Sequence, residues 1–358
     1  MTELLFAPLD FARYNAEDML PARFTRLLDA GPLNGMVNGK RVVVKMHVGG
    51  GTGYTTITPL FVKILITKLK EWGAKPFITD SYTEGCADRG YDTRYLGCPI
   101  VNACGQTDKY FYTKDVEFKS FRHADIAGHI HDADFLLDLS HFKGHGACGY
   151  GGACKNLAMG CVTHRTRAEL HLLEGGIDWT DSKCTRCKAC LDSCTHSANT
   201  FGEDSKYKVF FHNCTFCGHC IKVCPTGAIA LQEDCYDDFQ HGMALCTQEV
   251  LRNFGANVYY INFLTNITAL CDCWGISTPS LVPDIGVVAG SDIVAVDKAS
   301  LDLINTDLLN PLGVPVGHTM NGKGHLFEQL HGRDPYVTLR ELAALGLGRP
   351  EYTLKTIK

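Results

Sequence analysis

The chain contains no run of eighteen apolar residues, so no membrane-crossing helix is expected from it. It has no long basic run and a net charge of −5, which argues against nucleic acid as a partner. Its first residues, Met1-Thr-Glu-Leu-Leu-Phe-Ala-Pro8, lack both the basic end and the long apolar stretch of a secretory signal; a cytoplasmic location is the expectation. The glycine run at positions 49–53 lacks a clean G-x-G-x-x-G, so it is not read as a dinucleotide site. Charged residues make up only 20% against 45% hydrophobic, the balance of a globular protein rather than a disordered one. What the chain has in excess is cysteine. Eighteen in 358 residues do not suggest a disulfide scaffold at this length; they suit a reducing compartment and metal ligation.

Eight of the cysteines fall in two identical runs. The first is Cys184-x-x-Cys187-x-x-Cys190-x-x-x-Cys194, the second Cys214-x-x-Cys217-x-x-Cys220-x-x-x-Cys224-Pro225. Each is a bacterial-type ligand run for an iron–sulfur cluster, in which the fourth cysteine serves the other cluster. Cluster I would take Cys184, Cys187, Cys190 and Cys224, and cluster II Cys214, Cys217, Cys220 and Cys194. A pair of zinc ribbons also uses C-x-x-C pairs, but has no use for a third cysteine at regular spacing. Residues 182–231 resemble a two-cluster bacterial ferredoxin, with Thr195 where proline usually follows the fourth cysteine. The resemblance implies two 4Fe–4S clusters and a low-potential electron donor or acceptor protein as partner. Lys183, Arg186, Lys188 and Lys222 could offset cluster charge or dock such a partner.

The flanks read as α/β. Residues 41–47 form an apolar strand, Thr58-Pro59 opens a helix that runs to about Trp72, and residues 76–80 form the next strand. Strand–helix–strand implies a parallel pair and a right-handed crossover. Residues 86–131 show little periodicity. A buried strand at 134–140 delivers a glycine-rich loop. Beyond the cysteine runs, a helix is expected at 239–254, strands at 257–264 and 284–290, a helix at 296–306, a loop at 320–333, a helix at 338–346 and a closing extended segment. The expected fold is therefore α/β, a mostly parallel sheet with helices on both faces. Residues 1–181 and 232–358 are two parts of one domain, interrupted by the ferredoxin-like insert 182–231.

Open α/β sheets bind ligands beyond the carboxyl ends of their strands. Lys45, His47 and Asp80 lie at that edge; so do His141, Lys143 and His145, with Lys155 beyond. Lys143 and Lys155 are candidates for anion binding, and Lys155 for covalent attachment. Cys271-Asp272-Cys273, followed by Trp274-Gly275, is a candidate metal or redox motif, its alternative being inert buried thiols. Cys148, Cys154 and Cys161 read as packing residues. Asp292 and Asp297 read as acids at a helix N-terminus. The strand ends are expected to converge on one pocket, with a cluster at its rim.

The stretches Val42–His47, Gly73–Asp80, Cys154-Lys-Asn-Leu-Ala-Met-Gly-Cys161, Cys271-Asp-Cys273 and Asp284-Ile-Gly through Asp297-Lys-Ala resemble the iron–sulfur branch of domain-of-unknown-function family 362. A shorter stretch, with His145, Lys155 and His171, resembles nickel-pincer lactate racemase. That resemblance implies a base, a lysine carrying a cofactor and a nickel ligand. Position 156 departs from it, with Asn followed by Leu-Ala-Met. The leading expectation is an iron–sulfur protein that passes electrons to a substrate or further cofactor in the cleft. A non-enzymatic ferredoxin-type carrier, or a racemase-like or metal-handling protein, stand as alternatives.

Overall fold

Valines at 42, 43 and 44 point alternately to opposite faces of a sheet, and both faces are buried, as a strand covered on both sides requires. The computed structural model describes residues 1–11, 13–194, 197–210, 214, 219–232, 236–314, 320 and 322–358. Eight strands form its central sheet: β1 (Thr2–Pro8), β2 (Arg41–Met46), β3 (Lys75–Asp80), β4 (Ile100–Asn102), β5 (Phe135–His141), β6 (Val258–Leu264), β7 (Gly286–Gly290) and β8 (Tyr352–Thr356). Their spatial order is β8-β1-β7-β6-β5-β2-β3-β4. All neighbouring pairs are parallel except those made by β7, which runs against both β6 and β1. The ends of β2, β3, β5 and β6 therefore share one edge.

The helices used below are α1 (Leu20–Ala30), α2 (Pro59–Glu71), α3 (Ala153–Gly160), α4 (His164–His171), α5 (Tyr236–Leu251), α6 (Ile293–Asp302) and α7 (Tyr336–Ala344). On one face Val42, Val44, Leu137 and Phe263 pack with Phe24 of α1 and Leu65 of α2. On the other, Val43, Leu136 and Val288 pack with Leu157 of α3, Phe239 of α5, Val296 of α6 and Leu339 of α7. Each such aliphatic or aromatic side chain contributes about 1.5–3 kcal/mol when fully buried.

The ferredoxin-like segment, 182–231, ends in Ile229–Leu231, which runs antiparallel to Ile177–Trp179 just before the segment starts. A second ribbon pairs Asn199–Phe201 with Tyr207–Val209, and two short helices, Ala189–Asp192 and His219–Lys222, carry the third cysteine of each run. Its own buried core is small: Cys190, Tyr207, Cys220 and Ile229. Among the described residues no helix is long and apolar enough to cross a membrane.

The unperiodic stretch 86–131 contains β4 and a hairpin of Phe111–Phe118 with Phe121–Ala127. The expected loop at 320–333 contains the helix Leu326–His331. The helix expected at 296–306 starts earlier, because Asp292 caps it by accepting from Ala295 N at 3.0 Å. Asp297 consequently sits in mid-helix and caps a different one. Its carboxylate reaches across to accept from Ala153 N at 2.9 Å and Cys154 N at 3.2 Å, the first turn of α3.

Candidate functional site

The shared strand edge opens on a cavity of about 610 Å³. Lys45, His47, Asp80, His141, His145, Lys155, His171, Cys271 and Cys273 line it, together with Arg167, Glu174 and, from the ferredoxin-like segment, Val209, Phe210 and Cys214. Lys143 is the candidate that does not face it.

On the β2–β3 side, Asp80 holds Lys45 and His47. Lys45 Nζ lies 3.2 Å from Asp80 Oδ1, and His47 Nδ1 lies 2.7 Å from Oδ2. Burial alone would raise the Asp80 carboxyl, but Lys45 and then His47 outweigh it and hold it well below the usual range. Burial would likewise lower His47, but Asp80 prevails and raises it. With Nδ1 committed to Asp80, His47 Nε2 has no protein partner among the described residues. Lys45 also donates to Asn156 Oδ1 at 2.5 Å, while Asn156 Nδ2 donates to Lys45 O at 3.1 Å and Asp138 Oδ2 at 2.9 Å. One asparagine thus ties α3 to the ends of β2 and β5. Lys45 runs so close over α3 that a Cβ at position 160 would stand 2.1 Å from its Cε, so only glycine fits there.

On the β5–β6 side, Asp272 plays the part that Asp80 plays opposite. It accepts from Lys143 Nζ at 2.5 Å and His141 Nδ1 at 2.8 Å; Lys143 also donates to Thr55 Oγ1 at 2.9 Å, and His141 Nε2 meets Thr265 O at 2.6 Å. Burial is again outweighed, here by His141 and Lys143, and the Asp272 carboxyl is held well below its usual range. Lys143 and His141 thus each spend one hydrogen bond on the Cys271–Cys273 turn, through Asp272. The glycine loop after β2 docks on that turn as well. Thr52 N donates to Gly275 O at 2.8 Å, and Gly51, at φ +48°, leaves no room for a side chain beside that same oxygen.

Between the two clamps stands a thiol pair. Cys271 Sγ and Cys273 Sγ are 2.7 Å apart, and Lys155 Nζ lies 3.5 Å from each. A hydrogen bond from Cys273 is the largest influence on Cys271; with the nearby Lys155 ammonium it overcomes burial and lowers that thiol to about 5. Cys273, donating that bond, is pushed up. Burial alone would lower Lys155, but Cys271 and Cys273 outweigh it and raise it. His145 completes a trio with the two cysteines, one donor atom from each lying within 4.8 Å of the others. Such a set of two thiolates and an imidazole can take a soft divalent ion. His171 sits further along the wall, its Nδ1 2.6 Å from Glu174 Oε1. Cys154 and Cys161 are fully buried in the core on the α3 side, as packing residues; Cys148 is buried beside His145, its Sγ 3.3 Å from Nδ1.

In the ferredoxin-like segment, Cys184, Cys187, Cys190 and Cys224 line one small cavity, roofed by Trp179, Phe201, Tyr207 and Ile229. This is the set that the crossed-run rule assigns to a single cluster. Cys224 Sγ accepts from Ala228 N at 3.2 Å, and Cys194 Sγ from Ala198 N at 3.3 Å, so the two halves repeat the same turn. Of the second set, Cys214, Cys220 and Cys194 are described, while Cys217, like Thr195, lies outside the described residues.

Sequence reasoning did not single out Asp272, Arg167 or Glu174. Asp272 had a signal, lying inside a motif already marked for its cysteines. Glu174 follows His171 by three residues. Arg167, which donates to Ser81 Oγ at 2.8 Å, had none.

The profile of the family described as Domain of unknown function (DUF362) matches residues 42–302. A thylakoid-associated protein of Synechocystis sp. is 32% identical over 176 residues, 45% of this chain and 52% of that protein. An uncharacterized ferredoxin of Methanocaldococcus jannaschii is 31% identical over 58 residues, 16% of this chain and 94% of its own. The chain thus spans about half the length of the first of these relatives, and the second matches only a short part of it. Among solved structures, the lactate racemase apoprotein from Thermoanaerobacterium thermosaccharolyticum superposes with a TM-score of 0.39 at 11% identity, over 82% of this chain and 54% of that one.

Proposed function

Given that this chain belongs to the DUF362 family and carries a ferredoxin-like iron–sulfur segment, we propose that it is an oxidoreductase that delivers electrons to a small molecule held in the cleft. The observation that carries this reading is the shared wall: Cys214 and Phe210 line the same cavity as Lys155, His145 and the Cys271–Cys273 pair.

Two 4Fe–4S clusters, bound by the two crossed sets of four cysteines, would supply single-electron storage. The cavity among Cys184, Cys187, Cys190 and Cys224, and the amide bonds to Cys224 and Cys194, suit that ligation. Cys187 is exposed, with Lys183 and Lys188 exposed near it in the chain and Lys222 exposed beside Cys220 and Cys224. This face suits an acidic, low-potential protein donor, whereas Cys214 faces the cleft. Within the cleft Asp80 fixes the His47 ring through Nδ1, beside the space that a bound substrate would fill. Arg167 and Lys155 add positive charge, which favours an anionic substrate. A carrier that only docks has no need of a cavity built by two buried ion-pair clamps.

Anaerobic reconstitution should yield about eight iron and eight acid-labile sulfide per chain, and Cys214→Ser about half of each. Zinc in place of iron, without visible charge-transfer absorption, would refute the ligand assignment. Unchanged iron in the Cys214→Ser variant would detach the cleft from the clusters.

A further inference from the structure

The cleft holds a feature that substrate binding does not explain, a pair of thiols one residue apart whose neighbour is a half-buried ammonium. We propose that Cys271 and Cys273 form a redox-active dithiol–disulfide couple that stores two electrons at the head of the cleft, with Lys155 as the positioned counter-ion of its reduced form. This rests on the iron–sulfur reading above and deepens it by naming the group that the electrons reach.

Geometry favours a disulfide over a metal ion at these sulfurs. They are already in contact at 2.7 Å. Two thiolates on a tetrahedral ion with bonds of about 2.3 Å would stand about 3.8 Å apart. The place a cation would take is held by Lys155 Nζ, 3.5 Å from both sulfurs. The turn that carries the pair is fixed from beneath by Lys143 and His141 through Asp272, and from the side by the glycine loop through Gly275. Both sulfurs line the cavity that Cys214 also lines, so the pair is open to reductant and substrate alike.

The step balances as follows. The Cys271–Cys273 S–S bond breaks as two electrons arrive one at a time from a low-potential one-electron donor protein. One proton goes to Cys273, and Cys271 remains a thiolate against the Lys155 ammonium, which keeps its own proton. Two single-electron carriers and one two-electron acceptor match in number. The reverse step gives both electrons to an oxidised substrate, for which a disulfide or another two-electron acceptor is the fitting class.

The test uses the reconstituted holoprotein under anoxic conditions. It is equilibrated in glutathione buffers of graded potential, quenched with iodoacetamide and digested with trypsin. The peptide spanning residues 253–298 contains these two cysteines and no other, so its alkylation reports the couple directly. Reversible conversion between an unalkylated disulfide and a doubly alkylated dithiol is the expected result. In Lys155→Gln the reduced form loses its counter-ion, and the dithiol-to-disulfide ratio at a given buffer should fall about tenfold, a shift of about 30 mV for two electrons. Lys155→Arg should restore most of it, and circular dichroism checks that both variants are folded. A peptide that is doubly alkylated in every buffer would overturn the couple while leaving the clusters untouched. A stoichiometric non-iron metal that protects both thiols from alkylation would also overturn it, in favour of a His145–Cys271–Cys273 metal site. A couple that titrates in glutathione but is not reduced by photoreduced deazaflavin any faster in the parent than in Cys214→Ser would retain the couple and overturn the electron route of the proposed function.

Discussion

Replacing Asp272 by Asn tests whether the thiol turn is held by charge. Asp272 is 5% exposed and Lys143 1%, so neither charge is appreciably screened by solvent. Asn keeps the shape but offers one acceptor oxygen to two donors, and turns an amide NH2 toward either Lys143 or His141. Removing one partner of a buried pair costs about 3–5 kcal/mol, because the ammonium left behind has neither water nor counter-ion. An unfolding entropy of about 2.1 cal/mol/K per residue over 358 residues converts this to a fall of about 4–7 °C in the unfolding midpoint. The assay is thermal unfolding of the anaerobic protein followed by tryptophan fluorescence, with Trp274 beside the turn as local reporter. The pH dependence has a definite sign. The folded carboxyl of Asp272 is depressed below its unfolded value, so its contribution is present above the unfolded pKa and is lost as pH falls through the folded one. Parent and variant should therefore differ most at neutral pH and converge in acid. A midpoint shift below about 1 °C at neutral pH would refute the reasoning.

Gly160→Ala should destabilise by about 1–3 kcal/mol through overpacking, because the new Cβ would stand 2.3 Å from Lys45 Nζ and 3.0 Å from Asp80 Oδ1. Helix propensity alone predicts a gain of about 1 kcal/mol, so the sign of the urea midpoint shift decides between the two. Replacing residues 182–231 by a short linker should leave the central sheet folded by circular dichroism, since the segment's last strand, Ile229–Leu231, pairs with Ile177–Trp179 just before its start. Insoluble product, or loss of helical signal beyond the excised helices, would show that the sheet needs the segment as a packing surface.

How much of this could be read from the residues alone depended on periodicity. Strands β2, β3, β5 and β6 are buried on both faces and announce themselves as continuous apolar runs, and α2 shows helical spacing between Pro59 and Gly73. Strand β1 was not recognised, because its partners, β7 and β8, lie far away in sequence, at the other end of the chain. The antiparallel run of β7 has no signature either: Gly286–Gly290 is as apolar as its parallel neighbours, so its composition does not reveal its direction. The hairpin at 111–127 was hidden by its chemistry. Phe111–Phe118 alternates half-buried and exposed positions with few strongly apolar residues. The positions of Lys45, His47, Asp80, Lys155 and the two cysteines at one edge followed from strand order in a parallel sheet. Which of those charges would be consumed internally did not, because that depends on partners more than a hundred residues distant, such as Asp272 for Lys143.

Two buried lysines and one half-buried one show why the thiol pair differs from the rest of the site. Desolvating an ammonium costs several kcal/mol unless an anion compensates it. Lys45 has Asp80, and Lys143 has Asp272; both carboxylates are ionised at any neutral pH, so both pairs are permanent and serve as clamps. Lys155 has no carboxylate partner among its described contacts; its ammonium lies between two sulfurs. A thiol is a weak acceptor and compensates poorly, whereas a thiolate compensates well. The position of Lys155 is therefore stabilised in the reduced, ionised state of Cys271 and loses that support when both sulfurs are joined. The helix that carries Lys155 is held independently, by Asn156 at the strand ends and by Asp297 at its first turn. Loss of the thiolate thus leaves the backbone in place and releases only the side chain. The fold in this way separates the two uses of buried charge: fixed pairs that build the cleft, and one conditional pair whose strength depends on the oxidation state of the sulfurs it faces.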